Sequence, residues 1–476
     1  GSAGKLGTKG GGILLENGRV SLSDVIVSGC KASTNSSWHG DGAGIYVKSG
    51  TFTMDNSILS ANTATKSGGG VYVSNTGTFE MKGSSCVTPS SGSDKDTPGE
   101  NDVYLENGRK IKIVNILTGT APVARITVPD ANYAASTQVL DGDITNGQPG
   151  NYTKFTVTPK GSQKWEVDST GCLQKTPVVI NGADSGAWQK LKAAVAAAAA
   201  GDTITVRGSV KATTASGNFG EIEINKNLTI RGENGAGSDI LDANSGNLGS
   251  NARRIFSVTS GTLKLSGLTL KGGKAAAGAN GGGVYVSNSG AAELSDCVIE
   301  NCTADVGGGI GASGTAKLTN TSIKTCVAAS TSKGGGAVYA KGCTVELEGC
   351  TLTGNKANDG GAIYVYGATV NITNCTLTRN TAEKNGGAVY AVKDGGAVST
   401  VTIKGGTIGG TGTDANTVTD PYGFGGGIYV DEHCGLNLQD STGTGAQGLR
   451  IIGNQAAKGK GVYAKNTIVA MKDRTQ

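Results

Sequence analysis

The sequence predicts an all-β protein: a right-handed parallel β-helix, in two tandem segments with a capping region between them. Three observations predict it. In the cycle that starts at Gly360-Gly361-Ala362-Ile363-Tyr364-Val365, apolar and polar residues alternate in three short runs, marked by Ile363 and Val365, Val370 and Ile372, and Cys375 and Leu377. Period-two alternation gives strands with one buried face. The cycle then returns at Gly386-Gly387-Ala388-Val389-Tyr390, and Tyr364 to Tyr390 is 26 residues. Related starts stand at Gly44-Ile45-Tyr46, Gly70-Val71-Tyr72, Gly283-Val284-Tyr285, Gly309-Ile310, Gly336-Ala337-Val338-Tyr339, Gly427-Ile428-Tyr429 and Gly461-Val462-Tyr463. Their spacings in the second half are 25, 26 or 28 residues, then 39 and 34, a repeat signal that chance rarely gives. Finally, the third run of several cycles ends in an apolar residue followed three later by Asn: Leu59 and Asn62, Leu352 and Asn355, Leu377 and Asn380, Ile451 and Asn454. With no helical pattern between the runs, the chain must return to its start one strand spacing higher, about 4.8 Å. Each strand then pairs in parallel with its equivalent one coil away. The right hand follows from the crossover rule for parallel strands.

Corner chemistry fits this geometry. An inward Asn can bond backbone groups freed at the bend and stack on the Asn of the next coil. The Gly pair marks a corner where a side chain would crowd the neighbouring coil. Cysteine takes the same inward sites elsewhere. Cys297, Cys350 and Cys375 share one column, and Cys30, Cys302 and Cys326 share the Asn column. Two readings stand for the ten cysteines: small core thiols, or bridges between stacked neighbours such as Cys350 and Cys375. With no Cys-x-x-Cys pair, structural zinc is not expected.

In chain order, residues 1–128 read as the C-terminal part of a first β-helix. Its inward pairs are Val20 and Leu22, Phe52 and Met54, Phe79 and Met81; Val87 to Glu100 forms a polar loop. Val103-Tyr104 and Ile111-Lys112-Ile113 resume the strands. Residues 129–175 lose the Gly corner, and Tyr152, Phe155, Val157, Trp165 and Val167 point to two antiparallel strands that close the solenoid end. A separate binding module is the alternative for this stretch. Residues 176–476 form the second β-helix. It opens with a capping helix at about 186–200, Ser185 as N-cap and Gly201 as stop, with Trp188, Leu191 and Val195 on one face. Ile222-Glu223-Ile224, Leu228-Thr229-Ile230 and Leu263-Lys264-Leu265 follow, then the regular array from Gly281 to Ala391. Lengthened corners lie at Thr407 to Phe424 and Gln439 to Gly448. The opening Gly1-Ser2-Ala3-Gly4 and the abrupt close after Ile468 are expected of a fragment.

Composition narrows the function. Gly is 80 of 476 residues with no strict three-residue period, which excludes collagen. Net charge is +5 and spread out, so neither nucleic acid nor an anionic membrane is an expected partner. No stretch of 18 apolar residues is present, so no helical membrane span is expected, and no signal peptide begins the chain.

The pairing of Gly-Gly-Ala-Ile with the apolar-x-x-Asn motif resembles the polymorphic membrane protein repeats of bacterial outer surfaces and the arrays of large spirochaete surface proteins. The resemblance covers roughly residues 10–110 and 200–465. It implies display at the cell surface, the outer membrane or outside the cell, and adhesion to a host protein or glycan.

Site chemistry is sparse. Polysaccharide cleavage on this fold needs clustered acids, or Asp residues holding Ca²⁺, on one face over adjacent coils. The outward acids Glu293, Glu346 and Glu348 read as scattered, so no catalytic set, metal or cofactor is expected. His39 and His433 each stand alone at a corner. The outward tyrosines form columns, Tyr46 with Tyr72, and Tyr285, Tyr339, Tyr364 and Tyr390 with a gap at Gly311. Such a ladder either binds a glycan or an extended segment, or stacks on itself and stabilises the sheet. Asp420 and Tyr422 on the long corner are further binding candidates. The expectation is a non-enzymatic, adhesin-like or stalk-like repeat protein. A polysaccharide-binding or polysaccharide-cleaving protein is the alternative, and self-association is a third reading.

Overall fold

Alternation decides each rung of the fold. Around residue 370 every second side chain turns inward, and Ile363, Val365, Val370, Ile372, Cys375 and Leu377 are all buried. Ile363 lies directly over Val389 in a parallel ladder, with Tyr364 over Tyr390 and Val365 over Ala391. The other two strands of the coil repeat the pattern, Val370 over Val401 and Leu377 over Ile408. The structure, a computed structural model, describes residues 11–33, 40–91, 96–147, 150–161, 163–440 and 448–472. It divides into two compact units, Gly1–Thr176 and Pro177–Gln476.

In the second unit the rungs stack into an 11-stranded sheet from Val178–Asn181 to Ile468–Lys472, and two 9-stranded sheets. One of these runs from Ser209–Lys211 to Arg450–Ile452, the other from Ile222–Ile224 to Val462–Ala464. A fourth, short sheet of five strands fills the corner before each Gly pair. The core is one continuous apolar column from Ile180 to Leu438. The Gly corners are tight for a stated reason. A Cβ on Gly361 would lie 2.3 Å from the Gly387 carbonyl oxygen, and Gly360 sits at φ 61.

The helix spans Ala187–Ala197, inside the range the sequence predicts, but its N-cap is Gly186 in the left-handed region and not Ser185. Trp188, Leu191 and Val195 are buried against the first coils, and the Trp188 indole N–H donates to the Gly220 carbonyl at 2.9 Å. Lys226 Nζ donates to the Ala196 and Ala198 carbonyls, satisfying the frayed C-terminal end.

The first unit is built on the same stack. Two of its strands, Ile45–Asp55 and Val71–Gly83, run without a break through what is a corner elsewhere. Here one expectation needs correction. Phe155–Val157 is not part of an antiparallel closing pair: it lies parallel on Ala124–Thr127, with Phe155 over Ala124 and Val157 over Ile126. Leu140–Gly142 likewise continues the stack on Ile111–Leu117. The inward residues keep their places although the Gly corner is gone. Asn151 does the corner's work, with its Nδ2 on the Asn115 and Asp143 carbonyls and its Oδ1 accepting from Leu117 N–H. The strands Trp165–Val167 and Leu173–Lys175 do pair antiparallel.

Candidate functional site

Two surfaces of the coils carry the residues that sequence analysis singles out. The first is the outer side of the sheet that holds the tyrosines. Strand pairing in register sets each ring above the last. In the first unit Tyr46 stacks on Tyr72 at 4.8 Å between ring centroids, and Tyr72 on Tyr104 at 5.1 Å. In the second, Tyr339, Tyr364, Tyr390, Tyr429 and Tyr463 follow one another at 5.6, 5.0, 4.9 and 5.4 Å. These rings point away from the core, yet Tyr46, Tyr72, Tyr339, Tyr364 and Tyr429 are buried, Tyr339 at 2% exposure and Tyr364 at 5%, while Tyr104, Tyr390 and Tyr463 are half-buried. Val306, Tyr366 and Val392 pack against them. Burial pushes the Tyr339 phenol up to about 12. It also raises Tyr364 and Tyr390, with the Asp359 carboxylate adding to both. Such phenols stay neutral through the physiological range.

Tyr285 stands apart from that stack. Gly311 replaces tyrosine in the next coil because the preceding corner occupies the space; a Cβ there would meet Gly281 N at 2.6 Å. The Arg254 guanidinium lies over the Tyr285 ring at 5.0 Å and pairs with Glu221 at 3.1 Å. Thus the four candidate tyrosines do not form an open ladder, since neighbouring rings or Arg254 take up their faces. Asp420 and Tyr422 lie on a separate turn. The Tyr422 N–H donates to the Asp420 carboxylate at 2.8 Å, and the Tyr422 side chain is 82% exposed. Two residues on, Phe424 returns to the stack, 4.6 Å from Tyr463.

The second surface is the outer side of the 11-stranded sheet. Register places Lys264, Glu293, Lys317, Glu346 and Asn371 in one column. Lys264 pairs with Glu293 at 2.9 Å and Lys317 with Glu346 at 3.6 Å. Glu293 and Glu346 read as scattered acids in the sequence; the stack makes them alternate with lysines. An alignment that allowed unequal coil lengths would have found the column. Shallow concavities of about 280 and 220 Å³ lie along it and share Lys317. The second face repeats the pairing, with Lys324 and Glu300 at 3.0 Å. Beside the charged columns run in-register threonines: Thr344, Thr369 and Thr400 in one column, and Thr351, Thr376 and Thr407 in another.

His433 is exposed at a left-handed turn, φ 65, where its backbone N–H donates to Asn466 O. His39 lies outside the described residues. Among the described residues no three His, Cys, Asp or Glu side chains gather as metal ligands. All ten cysteines are free thiols. No helix among the described residues is long and apolar enough to cross a membrane.

A family model described as a right-handed beta helix region matches residues 226–468. Among curated proteins, none matches the chain.

Proposed function

Since the chain belongs to the right-handed β-helix family, we propose that it is a non-enzymatic repeat protein displayed at a bacterial cell surface, adhesin-like or stalk-like. It presents the sides of its coils and its long corners to a host protein or glycan. One observation carries this reading. The coils stay in register through eleven parallel strands while the turn at 419–423, just after the in-register strand Thr417–Val418, departs from the repeat and exposes Tyr422. A stack of that kind holds its loops at fixed spacing, because each coil is tied to the next by backbone hydrogen bonds. The motif resemblance to polymorphic membrane protein repeats supports the same reading and the same location.

The test is binding to host-cell matrix proteins and to a glycan array, with the wild type and a variant whose residues 419–423 are shortened to the length of a regular corner. Binding that falls at least tenfold in the variant supports the reading. Undiminished binding would move the contact off the corner.

A second reading, a polysaccharide-binding or polysaccharide-cleaving protein, rests on the concave face around Lys317. A reducing-end assay on acidic and neutral polysaccharides separates the two. Turnover that is lost in Glu346→Gln would overturn the non-enzymatic proposal.

A further inference from the structure

Six of the ten cysteines are buried, and four of these fall in two stacked pairs. Cys302 and Cys326 occupy the Asn column in successive coils, next to the ladder pair Thr303 and Val327. Cys350 and Cys375 occupy the other inward corner, next to Thr351 and Thr376. Each pair is separated by one coil in the sequence. In both, the later thiol leans back towards the coil of its partner. Cys326 Sγ lies 3.8 Å from the Ile299 carbonyl oxygen, and Cys375 Sγ accepts from the Cys350 N–H at 3.3 Å. Coil neighbours stand about 4.8 Å apart, inside the roughly 4.4–6.8 Å Cα range that a disulfide spans. The remaining buried cysteines have no such partner in the next rung. Cys297 stacks on Thr321, and Cys434 on Ser399.

We propose that Cys302 with Cys326, and Cys350 with Cys375, are cross-link sites. Each pair closes to a disulfide that ties one coil to the next when oxidised glutathione or a similar small disulfide is present as the coils form. The thiolate of one cysteine attacks a glutathione sulfur, forming a mixed disulfide and releasing one glutathione thiolate. The partner thiolate then attacks the protein sulfur of the mixed disulfide and expels the second glutathione. The protein loses two electrons and two protons per pair, and one oxidised glutathione becomes two thiols. Timing follows from burial. Once packed, all four side chains are sealed at 1% exposure or less, and the small disulfide has no access. Exchange belongs to the open chain, and the sealed coil preserves whichever state it closed in.

The experiment refolds the full chain from denaturant in a glutathione redox buffer and, separately, with excess reductant. Both samples are alkylated under denaturing conditions and digested without reduction, and the peptides are mapped by mass spectrometry. The expected result is two linked peptide pairs, joining 302 to 326 and 350 to 375, in the oxidised sample alone. Its melting temperature should exceed that of the reduced sample by several degrees, and Cys375→Ala should remove part of that rise. All four cysteines alkylated on denaturing the sample refolded in the glutathione buffer would overturn the proposal, as would links that join them to other cysteines. The wild-type map decides the matter even where the variant does not fold.

Discussion

Asn380 is one amide that ties three coils together. Its Nδ2 donates to the Leu352 carbonyl and to Asn416 Oδ1, both at 2.9 Å. Its Oδ1 accepts from Asn355 N at 3.1 Å and Nδ2 at 3.0 Å. Asn380→Leu keeps the branched shape and strands these partners in a site with no solvent exposure. A loss of about 3 kcal/mol is expected from denaturant unfolding at unchanged m-value; a loss below about 1 kcal/mol would show that the column is ornamental. Four of the six asparagines of this kind were legible. Asn62, Asn355, Asn380 and Asn454 follow the apolar-x-x-Asn spacing, but Asn101 and Asn416 bond in the same way and were missed. Insertions of corner residues separate those two from their apolar partners. A second set of corner residues was not legible at all. Ala61, Thr325 and Arg379 adopt positive φ with no Gly or Asn to announce it. Ala61 is exposed with φ 53, so Ala61→Gly should raise stability by up to about 1 kcal/mol in the same assay. The tyrosines give a pH test. Burial raises Tyr46 and Tyr339 to about 12, above their unfolded value of 10.0. Below pH 10 both states hold the proton. Between 10 and 12 the unfolded chain releases it first, so melting temperature should fall as pH rises through that window.

At the scale of the strand, the column Lys264, Glu293, Lys317, Glu346 shows how charge and register work together. Each lysine faces a glutamate one coil away, and a slip that skipped a coil would set like against like. Lys317→Glu places three carboxylates in succession. Because these side chains are about half exposed, the expected cost is only about 1 kcal/mol, and most of it should vanish in molar salt. A cost that salt leaves unchanged would mean packing, not charge, is responsible. The helix Ala187–Ala197 is a different kind of element, held by one large side chain. Trp188 is 1% exposed, so Trp188→Ala should cost about 4 kcal/mol, read by denaturant unfolding. The helix and its buried face were readable from the 3.6-residue period. Its N-cap was not: Gly186 outcompeted Ser185 because the chain enters the helix through a left-handed turn that glycine alone adopts without strain.

For the molecule as a whole, stability should be close to a sum over coils. Asn355 and Asn380 are equivalent positions 25 residues apart. Excising residues 355–379 therefore joins Gly354 to Asn380 and should leave a shorter, cooperatively folded β-helix with unchanged strand signature by circular dichroism. Removing Ile372 alone reverses which side of that strand faces inward, and should unfold several coils. If both deletions were tolerated equally, register would not be what specifies this fold.

The sequence by itself determined that the chain coils, how many residues each regular turn takes and which side chains face the axis. Those features depend on alternation over a few neighbouring residues, which any reader of the chain can see. Only the tertiary structure decided who meets whom on the outside. There the partners sit a coil apart, 24 to 43 residues along the chain, and each inserted corner shifts the alignment. That is why the tyrosines proved to cover one another, the scattered glutamates to alternate with lysines, and Phe155 to extend the stack it was expected to close.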